Sequence, residues 1–292
     1  MSNMPALAAS PDTASATPSA ASATANSADA QFEAIYTAEW QWRGKQFAAN
    51  EDTSGTVAAH LPEVGEAAQQ ARLAYWRDVD KKLDGIDVGK LSHQRAVDYQ
   101  VYRFQIETLI ADQVYKTYQR PLSGDTSFWG DLADTARGTL HNEQEYRDYL
   151  NQISDIPRYF TENIDNMRAG LKRGFTLPQI TLEGRDSSVK SVIDAPSPED
   201  NIYYTPFKTM PATISPAKQA ELRKQAVAVI SGKIVPAYKT LLGFLQTEYV
   251  PGAQKSLAAY DLPDGKAFYR AQIREYTTLD TDPKAIHELG LE

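Results

Sequence analysis

The imidazole chemistry open to this chain rests on four histidines, His60, His93, His141 and His287, and there is no cysteine. A catalytic zinc takes roughly three protein ligands plus a water, and two ligating histidines on one helix sit a turn apart. No second histidine follows any of the four at that spacing. His287-Glu288 opens like His-Glu-x-x-His, but position 291 is Leu. The sequence therefore predicts no metal ligand among its residues, with one constellation to watch: His60 or His93 converging with His287 and an acid. The absence of thiols also removes disulfides, thiol catalysis and zinc–thiolate sites.

His287 has the strongest claim to a role, one turn into a helix that Asp282 caps and Pro283 starts. It is either a half-buried histidine bonded to a neighbouring segment or a cleft group titrating near neutrality. Tyr276, Thr277 and Thr278 precede that helix and read as turn-makers and caps or as substrate contacts. Arg270 and Arg274 stand four apart on one helical face. They can grip a peptide carboxylate or pair with acids of an adjacent helix. Tyr203, Tyr204 and Phe207 either wall a groove or anchor a loop. The acids Glu143/Glu145 and Asp131/Asp134 read as solvated helix faces. No glycine-rich phosphate loop or nucleophile elbow is present.

The elements that must position these residues are helical throughout. Phe32, Ile35, Tyr36 and Trp40 share a face. A helix is predicted over about 61–83, with Pro62 in its first turn. Ser92 caps a third helix carrying two stripes, Tyr99/Tyr102/Ile106/Ile110 and Val97/Val101/Phe104, which predicts burial on both sides. Asn142 and Glu145 have capping-box spacing, and Gly174 fits the left-handed end of a helix that carries Lys172 and Arg173 in its last turn. Residues 175–214 are punctuated by Pro178, Pro196, Pro198, Pro206 and Pro211 and read as a long, extended proline-rich loop with at most one short helix near 185–194. Ser215-Pro216 then opens the longest helical pattern. Pro236 lies inside it, and a proline ring clashes with the carbonyl four residues back, here Gly232, so a kink is predicted at 232–236.

The fold class is all-α, a multi-helix array over 31–292 behind an Ala/Ser/Thr/Pro-rich tail at 1–30 that is predicted to be disordered. That tail has neither the basic n-region nor the apolar h-region of a signal peptide. It is similar to the tether that follows a signal peptide or lipid anchor in exported bacterial proteins, which favours a periplasmic or exported protein over a cytoplasmic one. The 30 basic and 38 acidic residues leave a net charge of −8, which argues against nucleic acid and anionic membrane as partners. No stretch approaches the roughly 18–20 apolar residues of a bilayer span. The last helix starts well at Asp282-Pro283 and has no C-cap before Glu292, so a truncated domain is expected.

Tyr249-Val-Pro-Gly-Ala253, Leu262-Pro-Asp-Gly-Lys-Ala-Phe-Tyr269, Tyr276-Thr-Thr278 and Ile286-His-Glu-Leu-Gly-Leu291 resemble, in order and spacing, the bacterial family called domain of unknown function 885. Arg168-Ala-Gly-Leu-Lys-Arg-Gly174, Tyr204-Thr-Pro-Phe207 and Pro236-Ala-Tyr238 look like the same family. The resemblance is strongest over 142–292 and extends from about 31. It implies a mostly helical, commonly exported protein. It also implies a zinc-dependent peptidase- or carboxypeptidase-like hydrolase acting on a small peptide-like substrate, with a His-Glu-x-x-Pro-Gly-His-His stretch in its C-terminal half. That stretch is absent here. The resemblance thus implies the N-terminal half of such a hydrolase, inactive alone, with zinc belonging to the intact parent and the missing C-terminal half as its partner. The alternative is an exported, non-catalytic helical binding protein.

Overall fold

Serine, asparagine and aspartate side chains that accept a backbone N–H set where the helices begin, and the computed structural model, which describes residues 27–47 and 57–292, bears this out at each predicted cap. Ser92 Oγ accepts from Arg95 N, Asn142 Oδ1 from Glu145 N, Ser215 Oγ from Lys218 N and Asp282 Oδ1 from Lys284 N. Glu145 answers from N3 onto the amide of His141 (2.7 Å), one residue before the cap. The elements are α1 (Ser27–Phe47), α2 (Glu66–Asp84), α3 (His93–Tyr115), α4 (Phe128–Thr135), α5 (Glu143–Ser154) and α6 (Ile156–Arg173). They continue as α7 (Ser187–Ile193), α8 (Thr205–Lys208), α9 (Pro216–Val229), α10 (Val235–Phe244), α11 (Val250–Gly252), α12 (Gly265–Thr277) and α13 (Pro283–Leu291). No strand occurs among the described residues, only an isolated bridge between Leu122 and Ser127. The fold is all-α.

The disordered tail expected over 1–30 lies outside the described residues except for 27–30, which are helical: α1 starts four residues early. Helix α2 starts late, at Glu66. Residues 61–65 run along α6 instead, with Leu61 N donating to Asp155 Oδ2 (3.1 Å), Val64 N to Glu162 Oε2 (2.7 Å) and Arg158 to the carbonyls of Leu61 and Pro62. These bonds replace the helical ones that the 61–65 backbone would otherwise make.

Helices α1, α2 and α3 enclose one core of Phe32, Trp76, Val79, Leu83, Tyr99 and Ile106. Inside it Glu39 is 0% exposed and accepts from Arg43 Nε (2.8 Å) and Nη2 (2.7 Å), Trp76 Nε1 (3.0 Å) and Tyr102 OH (3.2 Å). A carboxylate survives burial when it is bonded this fully. The second predicted stripe of α3 is not buried: Val97 is 51% and Val101 58% exposed, so α3 is covered on one side and only partly on the other.

The larger core joins α4–α11. The proline-rich stretch 175–214 is not extended but wound into short helical turns, with α7 in the predicted place. Tyrosine hydroxyls reach in from the long helices to satisfy its backbone. Tyr146 OH donates to Pro206 O (2.8 Å) and Tyr149 OH to Tyr203 O (3.0 Å), while the Tyr203 and Tyr238 hydroxyls meet at 2.7 Å and Tyr238 OH donates on to Trp129 O (3.0 Å).

The run Pro216–Gly252 is distorted where Pro236 predicts it. Residues Ile230–Ile234 form a π turn, closed by Val235 N on Ile230 O. The extra residue widens the backbone just before the proline and relieves the clash with the carbonyl of Gly232 without ending the helix. A second π turn, Leu245–Tyr249, precedes Pro251 in the same way and was not anticipated. By length and composition part of this run is apolar enough to cross a membrane, one 18-residue window reaching a mean hydropathy of 1.3, against the expectation that no such stretch exists. Its Leu222, Ala226, Ile230, Ile234, Tyr238, Leu241, Leu245 and Tyr249 stripe is buried in the larger core, which accounts for the apolarity.

Candidate functional site

Helix α12 lies against the C-terminal half of α3, and the two frame three adjoining hollows. The glycine at its start, Gly265, sits against the carbonyls of Ala259 and Tyr260, an approach that a Cβ would block. Phe268 then packs edge-on to Tyr115 (5.7 Å) and Phe175 (5.4 Å). Two turns later Arg274 donates to Glu107 of α3 and lies over the Phe104 ring at 5.7 Å. On one side of Arg274 is a cleft of about 560 Å³ lined by Gln100, Val101, Arg103, Phe104, Glu107 and Thr278. On its other side is a hollow of about 220 Å³ lined by Thr108, Ala111, Tyr115 and Glu275. A shallower depression of about 620 Å³ continues past Arg270 to Asp280.

Acids and arginines balance across these hollows, with Glu107, Glu275 and Asp280 beside Arg103, Arg270 and Arg274. Glu107 is held between Arg274 and Arg103 Nε (3.1 Å), and Arg103 also reaches Asp84 (2.6 Å) and the Tyr99 hydroxyl (2.8 Å). These hydrogen bonds raise the pKa of Arg103 further. Burial raises the pKa of Asp80, assisted by Asp84 and Glu107 against the pull of Arg103. Asp112, one turn beyond Glu107 and beside the Thr117 hydroxyl (3.3 Å), is pushed up to about 6, first by burial and then by the negative charge of Glu275. A carboxyl in that range exchanges protons at neutral pH. It is not among the groups lining the three hollows, so its position is that of an interface group between α3 and α12.

Of the residues singled out from the sequence, the structure brings Arg270, Arg274 and Thr278 to this cleft. Both arginines pair with acids: Arg274 with Glu107 of the adjacent helix, and Arg270 with Asp282 (3.1 Å). Thr278 is the left-handed C-cap of α12 (φ 61). Tyr276 is 82% exposed and lines none of the three hollows. His287 stands on α13, which buries no residue. Tyr204 is elsewhere, 7% exposed in the larger core and packed on Phe207 (5.6 Å), while Tyr203 and Phe207 are fully buried. The aromatic segment is therefore an anchor of the loop and offers no groove wall. Sequence reasoning missed Gln100, Arg103, Phe104, Glu107 and Asp112; the polar pair Arg103/Glu107, one turn apart beside the apolar stripes of α3, was the available signal.

The residues present do not fit a zinc centre. His60 Nδ1 bonds Asp155 (3.0 Å), His141 Nδ1 bonds Glu145 (3.1 Å), and no group of three His, Cys, Asp or Glu gathers among the described residues. The watched convergence of His60 or His93 with His287 is not found.

The family model described as "Bacterial protein of unknown function (DUF885)" matches residues 49–292. The chain belongs to that family. Its solved structural relatives include a protein from Colwellia psychrerythraea described as a "putative lipoprotein", with a TM-score of 0.73 at 13% identity over 91% of this chain. At that identity the likeness shows the fold alone. The chain spans about half of that relative's length, 48%. No curated protein matches.

Proposed function

We propose that this DUF885 chain is the helical N-terminal portion of an exported, zinc-dependent peptidase-like hydrolase, in which the α3/α12 cleft forms one wall of the substrate cleft and the metal ligands come from sequence outside residues 1–292. The observation that carries the reading is the bare C-terminal face. Ile286, Leu289 and Leu291 of α13 are 37%, 72% and 74% exposed, and Val97 and Val101 of α3 are bare as well. Apolar surface of that kind marks a contact with further protein. Coverage of half of the Colwellia relative supports it, and that relative's description as a lipoprotein supports export. Within this reading the cleft binds a short peptide at its acid-paired Arg270 and Arg274 by exchanging Asp282 or Glu107 for the peptide's own carboxylate.

Zinc stoichiometry and hydrolysis test the proposal. The 292-residue chain, dialysed and analysed for metal, should retain no stoichiometric zinc and cleave no peptide. The protein expressed with the reading frame that continues past the Glu292 codon should hold about one zinc per chain and show chelator-sensitive peptidase activity. Stoichiometric zinc with chelator-sensitive activity on residues 1–292, or a folded, zinc-free and inert extended protein, would overturn it.

A further inference from the structure

Where α4, the start of α7 and the second π turn meet, the larger core opens into a hollow of about 240 Å³, walled by Leu122, Trp129, Leu182, Leu245 and Val250. Leu122, Trp129, Leu182 and Leu245 are buried, whereas Glu183, Gly184 and Gln246 at its edge are exposed. The hollow is therefore a pocket with an apolar floor and a wet mouth. The π turn brings two of its walls together. Residues five apart in a regular α-helix point roughly 140° away from each other. Here Val250 N bonds Leu245 O, an i→i+5 closure that swings the two side chains round towards one face. The extra residue ahead of Pro251 thus builds a wall as well as accommodating the proline. Single π turns of this kind recur at functional sites.

Most polar groups around the mouth are already answered by the protein itself. Arg185 gives its Nη groups to carbonyls of the turn beside Leu122: Gly124 O (2.8 Å), Ser123 O (3.0 Å) and Thr126 O (2.6 Å). Asp186 Oδ2 takes Lys190 Nζ (2.6 Å) and Gln246 Nε2 (3.1 Å), which ties the π turn to the start of α7. Trp129 Nε1 donates to Ser188 Oγ (3.0 Å), so only the indole ring is left for a ligand. Glu183 stands in solvent. Gln246 Oε1 accepts from no described residue, and the bond from its amide to Asp186 holds it at the rim. A charged group entering these walls would lose its hydration without gaining a partner. An uncharged ring gains apolar contact and pairs with the indole. A dry cavity of about 150 Å³ accommodates benzene, so the larger volume here suits one ring with a substituent.

We propose that this pocket binds a phenol-type group, a neutral aromatic ring bearing one hydrogen-bond donor, with the ring between Trp129, Leu182, Leu245 and Val250 and its hydroxyl on Gln246 Oε1. The ring belongs either to a free small phenol or to the tyrosine side chain of a peptide whose backbone stays outside the mouth. The pocket shares no lining residue with the α3/α12 cleft. It does not depend on the hydrolase reading.

The test is titration of the full chain, ¹³C-labelled at leucine and valine methyls, with phenol. Saturable binding with a dissociation constant between about 10 μM and 1 mM is expected for so small a ligand. Ring-current shifts should be largest at Leu122, Leu182, Leu245 and Val250, with Val97 and Val101 of α3 unmoved. Gln246→Leu, at an exposed position, should weaken phenol by about threefold to tenfold, the scale of one neutral hydrogen bond, and leave toluene unchanged. Cyclohexanol, which keeps the hydroxyl and loses the aromatic ring, should bind at least about threefold more weakly than phenol. Val250→Phe fills the pocket and should abolish binding, whereas Arg137→Gln, at an exposed arginine paired with Asp134, should not alter it. N-acetyltyrosinamide binding more tightly than phenol identifies a peptide tyrosine, and weaker binding a free phenol; either supports the site. Should Val250→Phe not fold, as judged by circular dichroism, the methyl shifts and the contrast between phenol and toluene in Gln246→Leu still decide. No saturation by about 10 mM phenol, shifts centred on other methyls, or a folded Val250→Phe that binds like the wild type would overturn the proposal. So would benzylamine or cyclohexanol binding more tightly than phenol, or a Gln246→Leu variant that weakens phenol and toluene alike.

Discussion

Replacing Asp112 by Asn should stabilise this protein, and only above about pH 4. The ordinary value of this carboxyl is 3.8, and in the folded chain it is pushed up to about 6, first by burial and then by Glu275. A raised acid pKa means that the folded state holds the proton longer than the unfolded one. The group is therefore harmless at low pH, becomes a cost once the unfolded chain ionises it near pH 4, and exerts its full cost above about pH 6. At about 1.4 kcal/mol per pH unit the gap is worth roughly 3 kcal/mol, and partial solvent screening reduces that to about 2. Asparagine keeps an acceptor for the Thr117 hydroxyl, so the neutral variant loses no bond. Urea denaturation of both proteins at about pH 3, 6 and 8 should give curves that coincide at about pH 3. They should separate to about 2 kcal/mol in favour of the variant at pH 8. A difference that does not change with pH, or a variant less stable at pH 8, would refute the reasoning.

Removing the buried carboxylate at Glu39 should act in the opposite direction. Glu39→Ala strands Arg43, Trp76 Nε1 and the Tyr102 hydroxyl in the α1–α3 core and should cost about 3–5 kcal/mol in urea denaturation; a loss below about 1 kcal/mol would contradict the geometry. Gly170→Ala forces a methyl onto Gln119 O at 2.6 Å, backbone against backbone, and should cost about 1–3 kcal/mol, with a lowered melting temperature as the readout. The bare faces of α13 and α3 should make the 292-residue chain self-associate, and Leu289→Glu with Leu291→Glu should suppress this in light scattering. A stable monomer of the unaltered chain at high concentration would remove the support that α13 gives to the hydrolase reading.

Helix ends were legible because they are decided within four residues. Ser92, Asn142, Ser215 and Asp282 each satisfy an amide of their own first turn, and Gly174 takes φ 78 at the end of α6. The distortion at Pro236 was legible for the same reason, since ring and carbonyl are four residues apart. Burial was legible only in part. Val97 and Val101 have the spacing of a core stripe, but periodicity states which residues share a face and not whether that face finds a partner. Helix α12 covers the C-terminal half of α3, along Thr108, Ala111 and Tyr115, and stops at Thr278 beside Val101. The proline-rich stretch looked extended because prolines punctuate it. Its winding depends on hydroxyls of Tyr146 and Tyr149, more than fifty residues upstream.

The candidate site shows the same limit in sharper form. Arg270 and Arg274 could be placed on one helix face from spacing alone, because that is a local property. What they do there depends on Glu107, which is 167 residues away from Arg274 in sequence, and nothing local to either residue announces the pairing. The same holds for Arg120 and Arg173, which lie on separate segments and meet over the Phe175 ring only because Gly170 lets the turn after α3 press against α6. Charge that is answered locally, as between Arg147 and Glu143 one turn apart, is legible and serves a helix. Charge that is answered from afar, as between Arg274 and Glu107, is illegible in sequence because neither residue's neighbours announce the partner.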